Sequence, residues 1–202
     1  MTGEHVSERW AKWRREIDLE EYHSRWERLE ASGNAAHGEA DLIEALVREV
    51  PVDGPVLDAG CGMGRVAIEL HARGLPVEGV DLDDDLLSYA RRDAPHIPWH
   101  LGDLAAVRLP RRYGVVAMPG NVMLFCRAED RAPIVANLAE HLDDGGLLVA
   151  GFGLERHSTA ITLDEYDRAC QGAGLVLHDR YATWERDPFD GGQYAVSVHR
   201  RV

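Results

Sequence analysis

Residues 56–70 read VLDAGCGMGRVAIEL: a short apolar run ends on an aspartate, glycines follow at alternate positions, and an amphipathic stretch begins. Glycine allows a tight turn and the close approach of a ligand, because it has no Cβ. A dinucleotide fingerprint, G-x-G-x-x-G, would need its third glycine at position 65, which is arginine, and no phosphate-binding G-x-x-x-x-G-K-[ST] pattern occurs here. The segment therefore predicts a strand, a ligand-binding loop and a helix, with a ligand other than a dinucleotide.

The charge of that ligand is indicated by Asp58, which ends the predicted strand just before the loop. A buried carboxylate would repel a pyrophosphate, whereas it would attract an ammonium or a sulfonium group. The loop is therefore predicted to hold a cationic ligand.

The rest of the chain alternates between short apolar runs and helical patterns, which is typical of a mostly parallel sheet covered by helices on both faces. Predicted strands lie at 55–59, 76–81, 97–101, 113–118 and 147–152, and predicted helices at 64–73, 83–92, 130–142 (closed by a DDGG turn) and 162–174. Two later apolar runs, 175–184 and 193–200, are joined by a short loop and are expected to pair antiparallel. We predict one domain over 1–202, with a core at 51–202 and an N-terminal helical lid or cap at 1–50.

Within residues 1–50, aromatic and aliphatic side chains recur at three- and four-residue steps, as on one face of a helix. Trp10 and Trp13 are interpreted as packing on the core. Tyr22 and His37 are open between core packing and a lid over a ligand. Residues 182–189 are open between a second wall of the site and a plain hairpin turn.

Composition excludes several classes of protein. The 202-residue chain carries 35 acidic and 22 basic side chains, a net charge of −13, which argues against a nucleic-acid partner. Its three cysteines form no CxxC pair, so neither a metal site nor a disulfide framework is expected. The N-terminal segment is too charged for a signal peptide, and no apolar run is long enough for a bilayer. The sequence predicts a cytoplasmic protein without membrane contact.

The VLDAGCGMG segment closely resembles the first motif of class I S-adenosylmethionine-dependent methyltransferases, and the resemblance extends over about residues 38–200. It implies an α/β fold, namely a three-layer αβα Rossmann-like fold. Its seven-stranded sheet is mostly parallel and has an antiparallel C-terminal hairpin strand. The implied cofactor is S-adenosyl-L-methionine, and the product is S-adenosyl-L-homocysteine.

The resemblance also assigns the cofactor contacts. Asp81, 21 residues after Gly60, would accept hydrogen bonds from both ribose hydroxyls, and Leu82 would contact the adenine. Asp103 would accept from the adenine amino group, with Leu104 beside it. The full predicted set is Asp58, Ala59, Gly60, Cys61, Gly62, Gly64, Asp81, Leu82, Asp103, Leu104, Met118 and Asn121. Cys61 is interpreted as a packing residue rather than a nucleophile.

The acceptor side is less defined. Residues 118–121 read MPGN, which differs from the [DN]-PP-[YF] motif of DNA- and protein-amide methyltransferases and so disfavours an amide nitrogen as acceptor. We expect methyl transfer to a small molecule by in-line displacement, which needs alignment more than acid–base groups. No residue is assigned as catalytic; His157, His37 and Tyr22 are candidates for a general base or an acceptor contact.

Two alternatives stay open at this point. One is a non-catalytic S-adenosylmethionine-binding module, because no base is evident. The other is an NAD(P)-dependent oxidoreductase, which the missing third glycine opposes. The acceptor, the atom that is methylated, and the choice between monomer and homodimer are left open by the sequence.

Overall fold

The structure is a computed structural model that describes residues 6–31, 37–49, 54–154 and 160–202. The strands are β1 (Val56–Ala59), β2 (Val77–Asp81), β3 (Trp99–Leu101), β4 (Tyr113–Met118), β5 (Leu142–Gly153), β6 (Leu175–Tyr181) and β7 (Tyr194–Arg201). The helices are α1 (Glu8–Glu16), α2 (Leu19–Ala31), α3 (Gly38–Glu49), α4 (Arg65–Ala72), α5 (Asp84–Asp93), α6 (Val122–Phe125), α7 (Ala128–Glu140) and α8 (Leu163–Gly172).

The strands of the described residues form one seven-stranded sheet in the order β3-β2-β1-β4-β5-β7-β6. Strands β1 to β5 pair in parallel, and β7 pairs antiparallel with both β5 and β6. The predicted fold is therefore confirmed. Because β7 inserts between β5 and β6, β6 runs in the same direction as β1 to β5, although it lies at the edge of the sheet.

Both faces of the sheet are buried, which gives three layers. On one face, α7 and α8 cover a core that includes Leu57, Val116 and Leu148. On the other, α3 and α4 cover the alternate strand residues, such as Val56 and Val115. Strands buried on both faces are expected to be apolar throughout, and all four residues of β1 are buried, including Asp58.

Two local predictions need correction. The DDGG segment, predicted to be a turn after a helix, lies inside the early part of β5, where the register with β4 shifts and Gly145 takes a φ of +81°. An irregular strand start tolerates the same glycines as a turn, so the sequence does not separate the two. The short helix α6 was missed because four residues are too few for a helical period.

Candidate functional site

A pocket of about 460 Å³ opens at the carboxyl ends of β1 to β4, where ligands bind in open α/β sheets. The loops after these strands form its floor, and side chains of α1 and α2 lie on its wall. It is lined by Trp10, Trp13, Tyr22, Glu39, Asp58, Gly60, Cys61, Gly62, Met63, Arg65, Val66, Asp81, Leu82, Leu86, Asp103, Leu104, Pro119, Gly120, Asn121, Val122, Phe125, Cys126, Asp130 and Ile134.

The three glycines after β1 all take left-handed φ values but serve different purposes. A Cβ at Gly60 would stand 2.7 Å from Val122, and one at Gly64 would stand 2.4 Å from the Trp99 ring. A Cβ at Gly62 would meet no atom within 4 Å. Gly60 and Gly64 therefore allow close packing of the protein, whereas Gly62 leaves open space for a ligand.

Asp58 is 1% exposed, and its two carboxylate oxygens differ. Oδ2 accepts a hydrogen bond from the Ala67 backbone N–H at 3.1 Å, while Oδ1 is buried and has no hydrogen-bond partner among the described residues. Burial raises the pKa of Asp58 to about 7, and the nearby Arg65 guanidinium partly opposes this rise. A buried carboxylate with a free acceptor atom in a ligand pocket fits a cationic ligand.

Asp81 ties the glycine loop to the end of β2. Its Oδ2 accepts from the Gly62 N–H at 2.8 Å and its Oδ1 from the Asp83 N–H at 2.9 Å. Each oxygen keeps a further lone pair, so the carboxylate can still accept two hydroxyl donors. Burial raises the pKa of Asp81 to about 6, although both backbone hydrogen bonds oppose the rise.

The loops after β3 and β4 complete the floor. Asp103 accepts from the Ala105 N–H through Oδ1 at 2.8 Å and lines the pocket next to Leu104. Asn121 takes a left-handed φ of 63°, and its Oδ1 accepts from the Gly153 N–H at 2.9 Å. This bond joins the loop after β4 to the end of β5 and fixes the Asn121 side chain at the pocket wall.

Comparison with known proteins agrees with this geometry. Residues 56–146 match the family model described as a methyltransferase domain. A TehB-like S-adenosylmethionine-dependent methyltransferase from Corynebacterium glutamicum is 34% identical, with a TM-score of 0.80 and a match over 91% of this chain and 97% of that one.

The chain belongs to the class I S-adenosylmethionine-dependent methyltransferases.

Two further relatives extend the comparison. The dTDP-3-amino-3,4,6-trideoxy-alpha-D-glucopyranose N,N-dimethyltransferase of Streptomyces venezuelae is 34% identical over 55% of this chain and 48% of its own length. The chain thus spans about half the length of the first curated relatives it matches. CalS10, an amino pentose methyltransferase from Micromonospora echinaspora, shares the fold with a TM-score of 0.70 at 22% identity, over 92% of this chain and 98% of that one.

The methyltransferase brings most of the predicted cofactor residues together. All but Ala59, Gly64 and Met118 line the pocket. Met118 and Ala59 are fully buried in the core behind the loops, and Gly64 faces Trp99. The side chains of Ala59 and Met118 do not line the pocket, and Gly64 has none, so only the backbone of these three residues is left for a cofactor contact. For Met118 the family resemblance implies a backbone contact.

The candidate acceptor residues separate into three groups. Tyr22 lines the pocket and packs edge-to-face on Trp13, with ring centroids 5.7 Å apart. His37 is not among the lining residues; its Nδ1 lies 3.8 Å from a carboxylate oxygen of Glu69. His157 lies outside the described residues.

Several aromatic assignments change. Trp10 and Trp13, interpreted from the sequence as core residues, line the pocket instead, because α1 has no buried residue and lies over the crevice. Residues 182–189 were open between a wall and a turn, and none of them lines the pocket. Trp184 packs closely over Gly151 and donates to the Tyr194 hydroxyl at 3.0 Å.

Sequence reasoning missed an ion pair inside the methyltransferase pocket. Arg65, the first residue of α4, donates to Glu39 of α3 at 2.7 Å, and both line the pocket. Arg65 is the residue that interrupts the dinucleotide fingerprint, so its position directly after the glycine loop could have predicted that it lies in the pocket. The position of Glu39 depends on the docking of α3, which no local pattern reveals.

Cys61 behaves as a packing residue. Its side chain points toward β2, since a Cβ at Gly79 would stand 3.0 Å from the sulfur. Burial raises the pKa of its thiol well above the usual value, with nearby Asp58 and Asp81 adding to the rise. A protonated thiol is a poor nucleophile, which agrees with the sequence interpretation.

The described part of the chain holds neither a cluster of metal ligands nor a membrane-spanning helix. Across residues 6–31, 37–49, 54–154 and 160–202, no cluster of three or more His, Cys, Asp and Glu side chains could hold a metal ion. Over those same ranges, every helix is too short or too polar to cross a bilayer.

Proposed function

We propose that this methyltransferase transfers a methyl group from S-adenosylmethionine to the nitrogen of a small-molecule amine. The observation that carries the cofactor half of this proposal is the buried Oδ1 of Asp58, which has no hydrogen-bond partner among the described residues, in the pocket that Gly62 also lines. A buried carboxylate oxygen without a partner is costly in an apolar site unless a cation faces it. S-adenosylmethionine supplies an electrophilic methyl group on a sulfonium cation and carries an ammonium group at its amino acid end.

The remaining pocket residues would then divide the cofactor among them. Asp58 and the glycine loop would hold the cationic amino acid end. Asp81 would accept from the ribose hydroxyls and Asp103 from the adenine amino group, each with an oxygen that already accepts one backbone N–H. Leu82 and Leu104, which line the pocket, would cover the adenine faces with apolar surface.

An amine acceptor is supported by the lining and by the relatives. When a neutral amine receives a methyl group, positive charge moves onto its nitrogen, and a site that stabilises this charge lowers the barrier. Carboxylates and aromatic faces do so. The pocket carboxylates Glu39 and Asp130 already pair with Arg65 and Arg127. The groups left to face the new charge are the aromatic rings of Trp10, Trp13 and Phe125. Three curated relatives are named as N,N-dimethyltransferases of dTDP-linked amino sugars.

No general base is needed in this proposal if the amine enters uncharged. The chain would then act by alignment and by exclusion of water, with the tryptophans of α1 and Tyr22 of α2 forming the cover. The N-terminal segment as a lid, a cytoplasmic location, and a monomeric or homodimeric state stay predictions.

The test uses purified protein and S-adenosylmethionine with a labelled methyl group. Candidate acceptors are amino sugars, the matching hydroxy sugars and polycarboxylates of similar size. We expect label on the amino sugars alone. Label on a hydroxyl or a carboxylate would overturn the proposal that the acceptor is an amine, while the proposed methyltransferase activity would stand.

Calorimetric titration with S-adenosylhomocysteine separates the alternatives. Binding without transfer to any acceptor would favour the non-catalytic binding module. Saturable binding of NAD(P) with no binding of either sulfur ligand would overturn the proposal altogether.

A further inference from the structure

Helix α1, called the strap from here on, crosses the top of the pocket and is fixed at both ends. At its start, the Ser7 hydroxyl donates to the Phe125 carbonyl of α6 at 2.5 Å. Near its end, Arg14 donates to Asp83 at 2.7 Å and to Asp85 at 2.6 Å, at the start of α5. A nine-residue helix is about 13 Å long, enough to bridge the loops after β4 and β2.

The Arg14 contact is more than a surface ion pair, because Asp83 is only 1% exposed. One carboxylate oxygen of Asp83 caps α5 by accepting from the N–H groups of Asp85 and Leu86, at 2.9 and 3.3 Å. The other oxygen accepts from Arg14 Nε. Removing the cation would leave a buried carboxylate short of its partner, which is costly.

Asp83 in turn adjoins the carboxylate assigned to the ribose. Its backbone N–H donates to Asp81 Oδ1, and Asp81 Oδ2 accepts from Gly62. A continuous chain of hydrogen bonds thus runs from the strap through Arg14, Asp83 and Asp81 to the open position of the glycine loop. Asp81 and Asp83 also repel one another, and the Arg14 guanidinium offsets the charge of Asp83.

We propose that Arg14 is a positioning residue, a latch that holds the strap over the methyl donor, so that strap closure and donor binding favour each other. This rests on the proposed function, since it takes the pocket as the donor site. If the strap covers the bound donor, the donor leaves faster when the strap moves away, and that movement breaks the contact between Arg14 and Asp83. Because the two equilibria are linked, the free energy by which a bound donor favours strap closure equals the free energy by which strap closure favours donor binding.

The test compares Arg14→Gln with Arg15→Gln, a matched control on the same helix whose side chain is exposed. The affinity for S-adenosylhomocysteine is measured by calorimetry, and its dissociation rate by stopped-flow tryptophan fluorescence, since Trp10 and Trp13 line the pocket. We expect Arg14→Gln to weaken binding at least about tenfold, as for the loss of a charge-assisted hydrogen bond. The loss should lie in faster dissociation. Arg15→Gln should stay within about twofold of the parent.

A double-mutant cycle assigns the effect to the contact. Asp83→Asn keeps a side chain that can cap α5 while removing the charge. If the latch acts through this pair, Arg14→Gln combined with Asp83→Asn should lose far less affinity than the product of the two single losses. Arg14→Lys, which keeps the charge but loses the forked donors that reach both Asp83 and Asp85, should recover part of the affinity.

The outcomes are distinguishable. If the parent protein binds no S-adenosylhomocysteine, the proposed function fails. If the parent binds and Arg14→Gln binds equally well with the same dissociation rate, the latch fails. Multiplicative losses in the cycle would also overturn it, because they would mean that Arg14 and Asp83 act on donor binding independently.

Discussion

The two halves of the pocket are built in different ways. The donor half, formed by the glycine loop, Asp81 and Asp103, consists of strand ends and the residues that directly follow them. Its polar contacts are mostly made by backbone N–H groups from neighbouring turns. The strap half, formed by α1, α2 and α6, depends on side chains that reach residues far away in the sequence, such as Arg14 to the carboxylate of Asp83 and Ser7 to the carbonyl of Phe125. The first is part of the rigid sheet, and the second is held by a few contacts that can break.

The largest effect on stability should come from disturbing the close packing of the glycine loop in the donor half. In Gly64→Ala, the new Cβ would stand 2.4 Å from the Trp99 ring at a φ of +84°. That ring is anchored by its Nε1, which donates to the Ala94 carbonyl at 2.9 Å. Strain and overpacking together should lower the free energy of unfolding by about 3 kcal/mol or more. Urea denaturation of the ligand-free protein measures this.

Gly62→Ala is the matched comparison. Its Cβ would enter open space at a φ of +55°, so it should lose only about 1 kcal/mol of stability and reduce donor affinity instead. Equal stability losses in the two variants would contradict the division of roles within the loop.

The second effect concerns the carboxylate that joins the two halves. Asp81→Ala removes the acceptor of the Gly62 N–H and the site assigned to the ribose. We expect affinity for S-adenosylmethionine to fall about ten- to a hundredfold, from one or two charge-assisted hydrogen bonds. Calorimetric titration measures it, with Asp84→Asn, an exposed carboxylate three residues further on, as the control. Unchanged affinity in Asp81→Ala would count against the donor assignment.

A third prediction uses pH. Burial raises the pKa of Asp58 to about 7, whereas the unfolded chain has a value of about 3.9. The folded state therefore binds more protons than the unfolded state between these values, and Asp58 lowers stability as pH rises from about 4 to 7. The thermal midpoint of the ligand-free protein should fall over this window, and less steeply in Asp58→Asn.

Donor affinity should move in the opposite direction. Ionised Asp58 attracts the cationic ligand, so binding of S-adenosylmethionine should tighten from pH 5.5 to 8 in the parent and less in Asp58→Asn. Asp81, whose pKa is raised to about 6 by burial, titrates in both proteins, and its charge also helps to raise the pKa of Asp58. Identical pH profiles for the two proteins would show that Asp58 does not face the cation.

The smallest effects should come from the strap half. Tyr22→Phe keeps the ring that packs on Trp13 and removes only the hydroxyl. If Tyr22 is a wall, kcat should stay within about threefold of the parent, whereas general acid–base roles contribute about a hundredfold or more. His37→Gln, outside the pocket lining, should leave both kcat and KM unchanged. Steady-state kinetics with the identified acceptor checks both variants.

The same contrast explains which parts of the fold and of the site could be predicted from the sequence. Alternating apolar runs predicted the sheet, and the left-handed positions after β1 could be identified because they require glycine. Asp58 was singled out by its place at a strand end, and Asp81 and Asp103 by the resemblance to the family. Trp10 and Trp13 show the limit, since a helical stripe looks the same whether it packs on a core or covers a pocket.

Long-range partners explain the remaining errors and omissions. The pairing of Arg14 with Asp83 joins residues 69 positions apart, and Glu39 reaches Arg65 only after α3 docks on α4. Such contacts depend on how helices settle on the finished sheet, for which a single sequence carries no local signal. Candidates chosen only because histidine can act as a base, such as His37, had the least support, since the sequence does not show which histidines reach the pocket.

The position of β7 inside the sheet also affects how the protein is made. Residues 194–201 pair with β5 on one side and β6 on the other, although both partners precede them in the chain. During synthesis, the outer edge of β5 therefore stays unpaired while some forty residues are added, and β6 has no strand of the sheet to pair with. Exposed strand edges are templates for aggregation. A ribosome-bound chain that ends before residue 194 should accordingly bind chaperones. We expect the chaperones to dissociate once β7 has inserted between β5 and β6.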